Sequence, residues 1–325
     1  MPLSIDTLQQ KIDQSIKEIE FSQEPATLFD PIAYILSIGG KRVRPLLTLL
    51  THSLYCDDVD KAIMPAIGIE IFHNFTLLHD DLMDQSDMRR GQPAVHKKWD
   101  ENTAILSGDA MLIEAYKYIA QVDSQLLPEV LKLFSTTALE VCSGQQYDMD
   151  FEQRLDVTAS EYLAMIRLKT AVLLASALKL GAILANAPTE DATHLYNFGI
   201  HIGLAFQIKD DLLDVYGNSD KFGKNIGDDI VTNKKTYLLI KALELASGDN
   251  KDALNHWVTA ESFDPAEKIE AVKEIYGTLG IPALAEELID QHYEEAIKAL
   301  DAVSVEDGRK AELKNLMTQL MNREK

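Results

Sequence analysis

The segment FHNFTLLHDDLMD, residues 72–84, closes an apolar run in which Ile67, Ile71, Phe75 and Leu78 recur at helical spacing. Asp80, Asp81 and Asp84 form D-D-x-x-D within it. Side chains four apart on a helix share a face, so Asp80 and Asp84 point the same way. The pattern returns in QIKDDLLD, residues 207–214, where Asp210, Asp211 and Asp214 follow the apolar run Ile200–Ile208. Like charges this close repel one another. A divalent cation removes that penalty, and Mg²⁺ suits hard oxygen donors, completing its shell with water and phosphate oxygens. A solvated acidic helix face would account for one such motif. Two copies at the ends of apolar helices favour metal, since carboxylates next to buried surface need partners.

Outward from these motifs, helical periodicity runs through residues 65–82, 104–120, 131–147, 160–187, 191–216, 234–246 and 281–320, and strand-like alternation is nearly absent. Short breaks at 25–31, 39–40, 57–60, 91–93, 121–128, 148–160 and 187–189 read as turns. The longest irregular stretch is 217–229, with Gly217, Gly223 and Gly227 among charges. No Ser/Pro linker or composition shift divides the chain. The expectation is one all-α domain over residues 1–325, with ten or so helices.

The 325 residues carry 31 Lys+Arg against 52 Asp+Glu, a net charge of −21. Such acidity disfavours nucleic acid and anionic membrane surfaces, both of which recruit clustered basic side chains. The most apolar window, 171–187, is interrupted by Lys179 and reads as a buried helix rather than a membrane span. No basic start followed by an apolar stretch marks the N-terminus as a signal peptide. Two distant cysteines, Cys56 and Cys142, exclude a disulfide scaffold, and the expectation is a cytoplasmic protein.

Basic residues stand beside the acidic motifs. Arg89 and Arg90 follow the first, Lys41, Arg42 and Arg44 follow the Gly39–Gly40 turn, and Lys221, Lys224, Lys234 and Lys235 lie beyond the second. Arginine forks bind phosphate oxygens bidentately. Metal-bridged carboxylates, cations and greasy helices together suggest a phosphorylated ligand with an apolar remainder.

Taken in order, GGKRVRP (39–45), FHNFTLLHDDLMD (72–84), RRGQPAVH (89–96), SGD (107–109), GQQYD (144–148), RLKTA (167–171), FQIKDDLLDVYGNSDKFGK (206–224) and GDDIVTNKKTYL (227–238) resemble the trans-isoprenyl diphosphate synthases, or polyprenyl synthetases. The resemblance implies helices around a central substrate cavity, homodimers, and head-to-tail condensation of isopentenyl diphosphate with an allylic diphosphate. It implies about two to three Mg²⁺ ions, with Mn²⁺ the alternative, acting as Lewis acids on the leaving pyrophosphate. Carried over by position, Asp80, Asp81 and Asp84 would serve the metal on the allylic diphosphate, and Asp210, Asp211 and Asp214 would do so from the facing helix. Asp80, Asp84 and Asp210 are the expected metal ligands. Arg89, Lys169, Lys224 and Lys234 would grip the same diphosphate, while Lys41, Arg44, His73 and Arg90 would bind isopentenyl diphosphate. Lys169, Thr170 and Gln207 would stabilise the carbocation, with Gln145 and Asp148 in the same pocket. The carbocation needs a water-free apolar pocket, and released pyrophosphate can take the final proton. The stretch 217–229 would form a lid, and Arg323 and Lys325 would have no catalytic part.

Phe75 lies five residues before Asp80, roughly 7.5 Å along the helix. With Thr76 beside it and Phe72 a turn below, its ring is expected to stop chain growth. In the family this pattern resembles synthases of geranylgeranyl diphosphate, with farnesyl diphosphate next. Two rivals share part of the pattern. A class I terpene cyclase would need no isopentenyl site, so Lys41, Arg44 and His73 argue against it. A non-catalytic subunit of a heteromeric synthase would be expected to lack aspartates or phosphate-binding residues that this chain retains.

Overall fold

The structure, a computed structural model, describes residues 4–21, 23–217 and 227–321. Its helices are α1 (Ile5–Lys17), α2 (Ala26–Ser37), α3 (Val43–Ser53), α4 (Asp60–Met83), α5 (Val95–Lys98), α6 (Glu101–Ile119), α7 (Leu127–Glu152), α8 (Ala159–Ile166), α9 (Val172–Leu184), α10 (Thr189–Tyr216), α11 (Asp228–Val231), α12 (Tyr237–Leu245), α13 (Gly248–Thr259), α14 (Pro265–Thr278), α15 (Ile281–Asp301) and α16 (Asp307–Met321). Among the described residues, extended structure is confined to a hairpin of two-residue strands, β1 (Met88–Arg89) and β2 (Gln92–Pro93). The all-α expectation holds.

Two of the expected long helices are subdivided. The pattern over 160–187 is interrupted by a π-helical turn at Arg167–Ala171, and that over 281–320 by a break between Asp301 and Asp307. Apolar periodicity survives both interruptions, so it could not mark them. Other helix ends move by a few residues. α7 starts at Leu127 and runs to Glu152, into stretches that read as turns.

The chain packs as two compact units. One comprises Met1–Thr136, Ser176–Leu195 and Val303–Leu313, and the other Thr137–Ala175, Tyr196–Ala302 and Lys314–Lys325. Because each unit draws on separated stretches, no linker in the sequence announces the division.

The first unit is built on α4, which is apolar on most faces and therefore suits a central position. Ile63, Ala66, Ile67, Ile71, Phe72 and Leu78 are all buried there, and α4 packs on α6 and α3. α6 is started by Asp100, whose carboxylate accepts from the Thr103 N–H at 2.9 Å. Near the C-terminus, Asp191 ties down the turn after α15. It accepts from the Ser304 N–H at 2.9 Å, from the Ser304 hydroxyl at 2.6 Å and from the Tyr55 hydroxyl at 2.9 Å. In the second unit, α8 opens with a reciprocal cap between Thr158 and Glu161 and leads directly into the π turn. α11 packs on α14, and α12 packs on α15. No helix among the described residues is long and apolar enough to cross a membrane.

Candidate active site

In the first unit, α4 ends at the first acidic motif. Asp81 turns inward and is 1% exposed, Asp80 is half-buried, and Asp84 is exposed. This follows from helical phase, since a residue one position on from Asp80 lies on another face. Arg89 approaches Asp81 as a fork, with its Nε donating to both carboxylate oxygens at 3.0 Å and Nη2 to Oδ1. Nη2 also lies 3.8 Å from Asp80. Burial pushes the Asp81 carboxyl up, and the Arg89 guanidinium pulls it back down.

RRGQP forms the hairpin. Arg90 and Gly91 both have positive φ, 52° and 74°, the signature of a type I′ turn. The turn sends adjacent arginines in different directions. Arg89 reaches back to Asp81, and Arg90 donates to the Gly39 carbonyl. Gly40 is favoured at this junction by its backbone, with φ of 135°, and a Cβ there would also push on the Arg90 guanidinium, 2.7 Å away.

Next to that junction the basic residues GKRVR separate into two roles. Arg42 is buried, donating to Glu70 at 2.7 Å and to the Leu36 carbonyl at 2.5 Å. It is a packing residue, and Glu70 is the acid it neutralises. Arg44 is different. Its Nε is buried with no hydrogen-bond partner among the described residues, and burial lowers its pKa to about 10. His73 lies in the field of four guanidiniums, Arg44, Arg90, Arg89 and Arg42. Burial and those charges hold its pKa well below the ordinary histidine value. The ring is therefore neutral, and the group around it is a pocket of positive charge in which the buried acids Glu70 and Asp81 are spent on Arg42 and Arg89. Lys41 is exposed beside it.

Phe72 and Phe75 belong to an aromatic cluster. Phe72 meets Phe75 with ring centres 5.6 Å apart and Phe134 at 5.2 Å, and Phe75 meets His79 edge-on at 4.8 Å. Phe75 keeps 8% exposure, and the Thr76 hydroxyl bonds to the His73 carbonyl at 2.8 Å.

In the second unit, Lys169 and Thr170 sit on the π turn. One extra residue in a turn shifts the phase of the side chains that follow. Gly144 on α7 allows the bulge, because a Cβ there would lie 2.3 Å from the Lys169 nitrogen. Lys169 Nζ donates to Asp148 at 2.6 Å. The Thr170 hydroxyl donates to Gln207 Oε1 at 3.0 Å, and Gln207 Nε2 donates to Asp211 at 3.0 Å. Asp211 thus fixes which way the Gln207 amide faces. Gln207 Oε1 in turn accepts the Thr170 hydrogen bond, which commits the hydroxyl proton and leaves its lone pairs available.

Asp211, like Asp81, is the inward member of its motif and is 4% exposed. A buried tyrosine, Tyr162 of α8, donates to it. Burial and the nearby Asp229 raise Asp211 to about 7, and the same two causes raise Asp214 to about 6. Asp214 also accepts from the Asp229 N–H at 3.1 Å, which fastens α11 to the motif. Lys234 Nζ lies 3.6 Å from Asp229.

Sequence reasoning missed Tyr162, Glu70 and Asp229. An acid inside the apolar run of α4 should have demanded a cation, which was the available signal for Glu70. Asp229 stood within a quoted motif, whereas no local pattern distinguishes Tyr162. Lys221 and Lys224, most of the 217–229 lid, and Arg323 and Lys325 lie outside the described residues.

No three His, Cys, Asp or Glu side chains among the described residues form a closed metal cage. The donors nonetheless fit Mg²⁺, which takes one or two carboxylates and leaves other positions to water and phosphate. Burial first, and neighbouring carboxylates second, raise Asp211 and Asp214, and a hard cation nearby would relieve that cost.

The polyprenyl synthetase profile matches residues 25–277. The short chain isoprenyl diphosphate synthase of Methanothermobacter thermautotrophicus is 38% identical over 300 residues, 92% of this chain and 91% of that one. A solved geranylgeranyl pyrophosphate synthase superposes with a TM-score of 0.94 at 44% identity, covering 99% of both chains. A polyprenyl synthase from Caulobacter crescentus, solved with calcium and isoprenyl diphosphate, gives 0.87 at 26% identity over 98% of this chain and 96% of that one. The chain belongs to the polyprenyl synthetase family and is a trans-prenyltransferase.

Proposed function

We propose that the protein condenses isopentenyl diphosphate with a short allylic diphosphate and releases geranylgeranyl diphosphate, with farnesyl diphosphate the next alternative. The observation that carries this reading is the positive pocket of Arg44, Arg90 and neutral His73, with Lys41 beside it. An enzyme that ionised one allylic diphosphate and cyclised it would have no use for a second anion pocket. Arg44 and Arg90 hold the isopentenyl diphosphate there, and His73 donates a hydrogen bond to it without carrying charge.

Asp80 and Asp84 of the first motif and Asp210 of the second would hold Mg²⁺. The metal would supply Lewis-acid chemistry, drawing charge from the leaving pyrophosphate. Arg89, Lys169, Lys234 and Lys224 grip the allylic diphosphate through its oxygens. As the allylic C–O bond breaks, the available lone pairs of the Thr170 hydroxyl face the carbocation, held by the Gln207–Asp211 relay. Apolar walls exclude water, which would otherwise capture the cation.

Phe75, backed by Phe72 and flanked by Thr76, limits product length. Phe75→Ala should yield longer prenyl diphosphates by chromatography, and an unchanged chain length would remove Phe75 from that role. The chain works as a homodimer, which is supported by the exposed apolar stripe of α6, with Leu106 at 60% and Ile113 at 61% exposure.

One incubation series tests the whole reading. Purified protein with Mg²⁺, isopentenyl diphosphate and dimethylallyl, geranyl or farnesyl diphosphate in turn should give prenyl diphosphates of one dominant length. Consumption of geranyl diphosphate without isopentenyl diphosphate would favour the cyclase instead.

A further inference from the structure

Outside the sequence motifs, the buried cation Lys268 is held, among the described residues, by neutral groups. Lys268 of α14 is 1% exposed, and no carboxylate among the described residues pairs with it. Its ammonium donates to the Asn233 side-chain oxygen at 2.7 Å and to the Val231 carbonyl at 3.1 Å, and it lies 4.2 Å above the Phe263 ring. A buried ammonium is costly unless its donors are satisfied, and here two oxygens and a π face satisfy them.

The segment Lys268 grips ends α11. Asn233 has φ of 54°. The Asn233 N–H reaches the Ile230 carbonyl at 3.2 Å, and the Lys234 N–H reaches the Asp229 carbonyl at 3.0 Å. These are the two bonds of a Schellman cap, whose left-handed position usually takes glycine. Asparagine is used here with every polar group engaged. Its Nδ2 donates to the Val258 carbonyl at 3.1 Å, its own carbonyl accepts from Lys235 at 3.0 Å, and its Oδ1 accepts from Lys268. Glycine would satisfy the turn but could not be gripped by its side chain. At the other end of α11, Gly227 seats against Ile269, the neighbour of Lys268, where a Cβ would lie 2.8 Å from the Ile269 side chain.

We infer that Lys268 and Asn233 form a clamp that positions Lys234 and Asp229 for the allylic diphosphate, making Lys268 a positioning residue of the reaction although it touches no substrate. The clamp fixes the backbone at the C-terminal end of a single helical turn whose other end seats Gly227 against Ile269. That turn carries Asp229 toward Asp214 and delivers Lys234 from a defined residue. The inference rests on the proposed contact of Lys234 with the allylic diphosphate.

The test measures the KM of each substrate separately. Lys268→Met keeps the apolar stem and removes both hydrogen bonds. It should raise the KM for geranyl diphosphate about ten-fold, as losses of supporting residues commonly do, and leave that for isopentenyl diphosphate within about two-fold. Asn233→Gly preserves the left-handed turn and removes the grip, so it should show the same split even if the methionine variant folds poorly. Lys234→Ala is the reference. If it raises the geranyl diphosphate KM while Asn233→Gly and Lys268→Met do not, the clamp is overturned alone. If Lys234→Ala leaves that KM unchanged, the underlying contact is overturned and the clamp falls with it. Equal rises in both KM values, with a lowered melting temperature, would reduce Lys268 to a structural residue and also overturn the inference.

Discussion

Asp81 and Asp211 hold the same place in two motifs of identical spacing, yet their surroundings differ in kind. Asp81 meets a full positive charge, the Arg89 fork. Asp211 meets neutral donors, Tyr162 and the Gln207 amide, with Asp229 close enough to repel it. The first arrangement is an ion pair that would leave a buried charge unpaired if either partner were removed. The second is a relay of neutral hydrogen bonds that sets the direction of Gln207 and Thr170. One spacing therefore serves two ends: anchoring a hairpin on one helix and orienting dipoles on another.

The largest effect expected separates the outward aspartates from the inward pair. Asp210→Ala should lower kcat on the order of a thousand-fold in steady-state assays, since Lewis-acid stabilisation is worth several kcal/mol. Near-normal turnover would break the assignment of that side chain to the metal.

Smaller effects sharpen the contrast between the inward aspartates. Asp81→Ala should destabilise the protein by about 2–3 kcal/mol in urea unfolding. That is below the full cost of orphaning a buried charge, because Arg89 keeps 23% side-chain exposure and has Asp80 at 3.8 Å. Asp211→Asn should cost about 1 kcal/mol, the scale of one exchanged hydrogen bond, while lowering kcat by turning the Gln207 amide. Equal stability losses in the two variants would erase the distinction. Tyr162→Phe removes a single donor and should cost about 1–2 kcal/mol, since the Asp211 oxygen is left buried without it.

The smallest expected response is to pH. In the positive pocket, His73 is neutral well before the ordinary histidine value of 6.5, and Arg44 stays charged up to about 10. Neither side chain changes charge in between. The KM for isopentenyl diphosphate, corrected for substrate ionisation, should be flat across that window, and His73→Gln should leave its pH profile unchanged. A titration near neutrality that disappears in His73→Gln would break the reading of a neutral ring.

Much of this was legible because it depends on helical phase. The buried run of α4 and the all-α class each follow from spacing. Tyr162 and Lys268 escaped notice through long separation in sequence. Tyr162 and Asp211 are 49 residues apart, and Lys268 and Asn233 are 35 apart. Neither pair belongs to one periodic segment. Arg42 and Arg44 looked equivalent as basic residues two apart. The resemblance picked Arg44 for isopentenyl diphosphate, and the buried Glu70 supplies the physical reason by holding Arg42 in packing. The π turn was invisible for a different reason, since one surplus residue in a turn barely disturbs an apolar pattern.

That surplus residue has a geometric consequence. Deleting one position between Arg167 and Ala171 would restore ordinary α-helical winding and would be expected to make the local backbone more regular. It would also rotate everything on one side of the deletion by about 100° relative to the other, carrying Lys169 or Thr170 out of register with Asp148 and Gln207. The surplus residue sits opposite Gly144, whose missing Cβ makes room for it, and it sets where Lys169 and Thr170 aim.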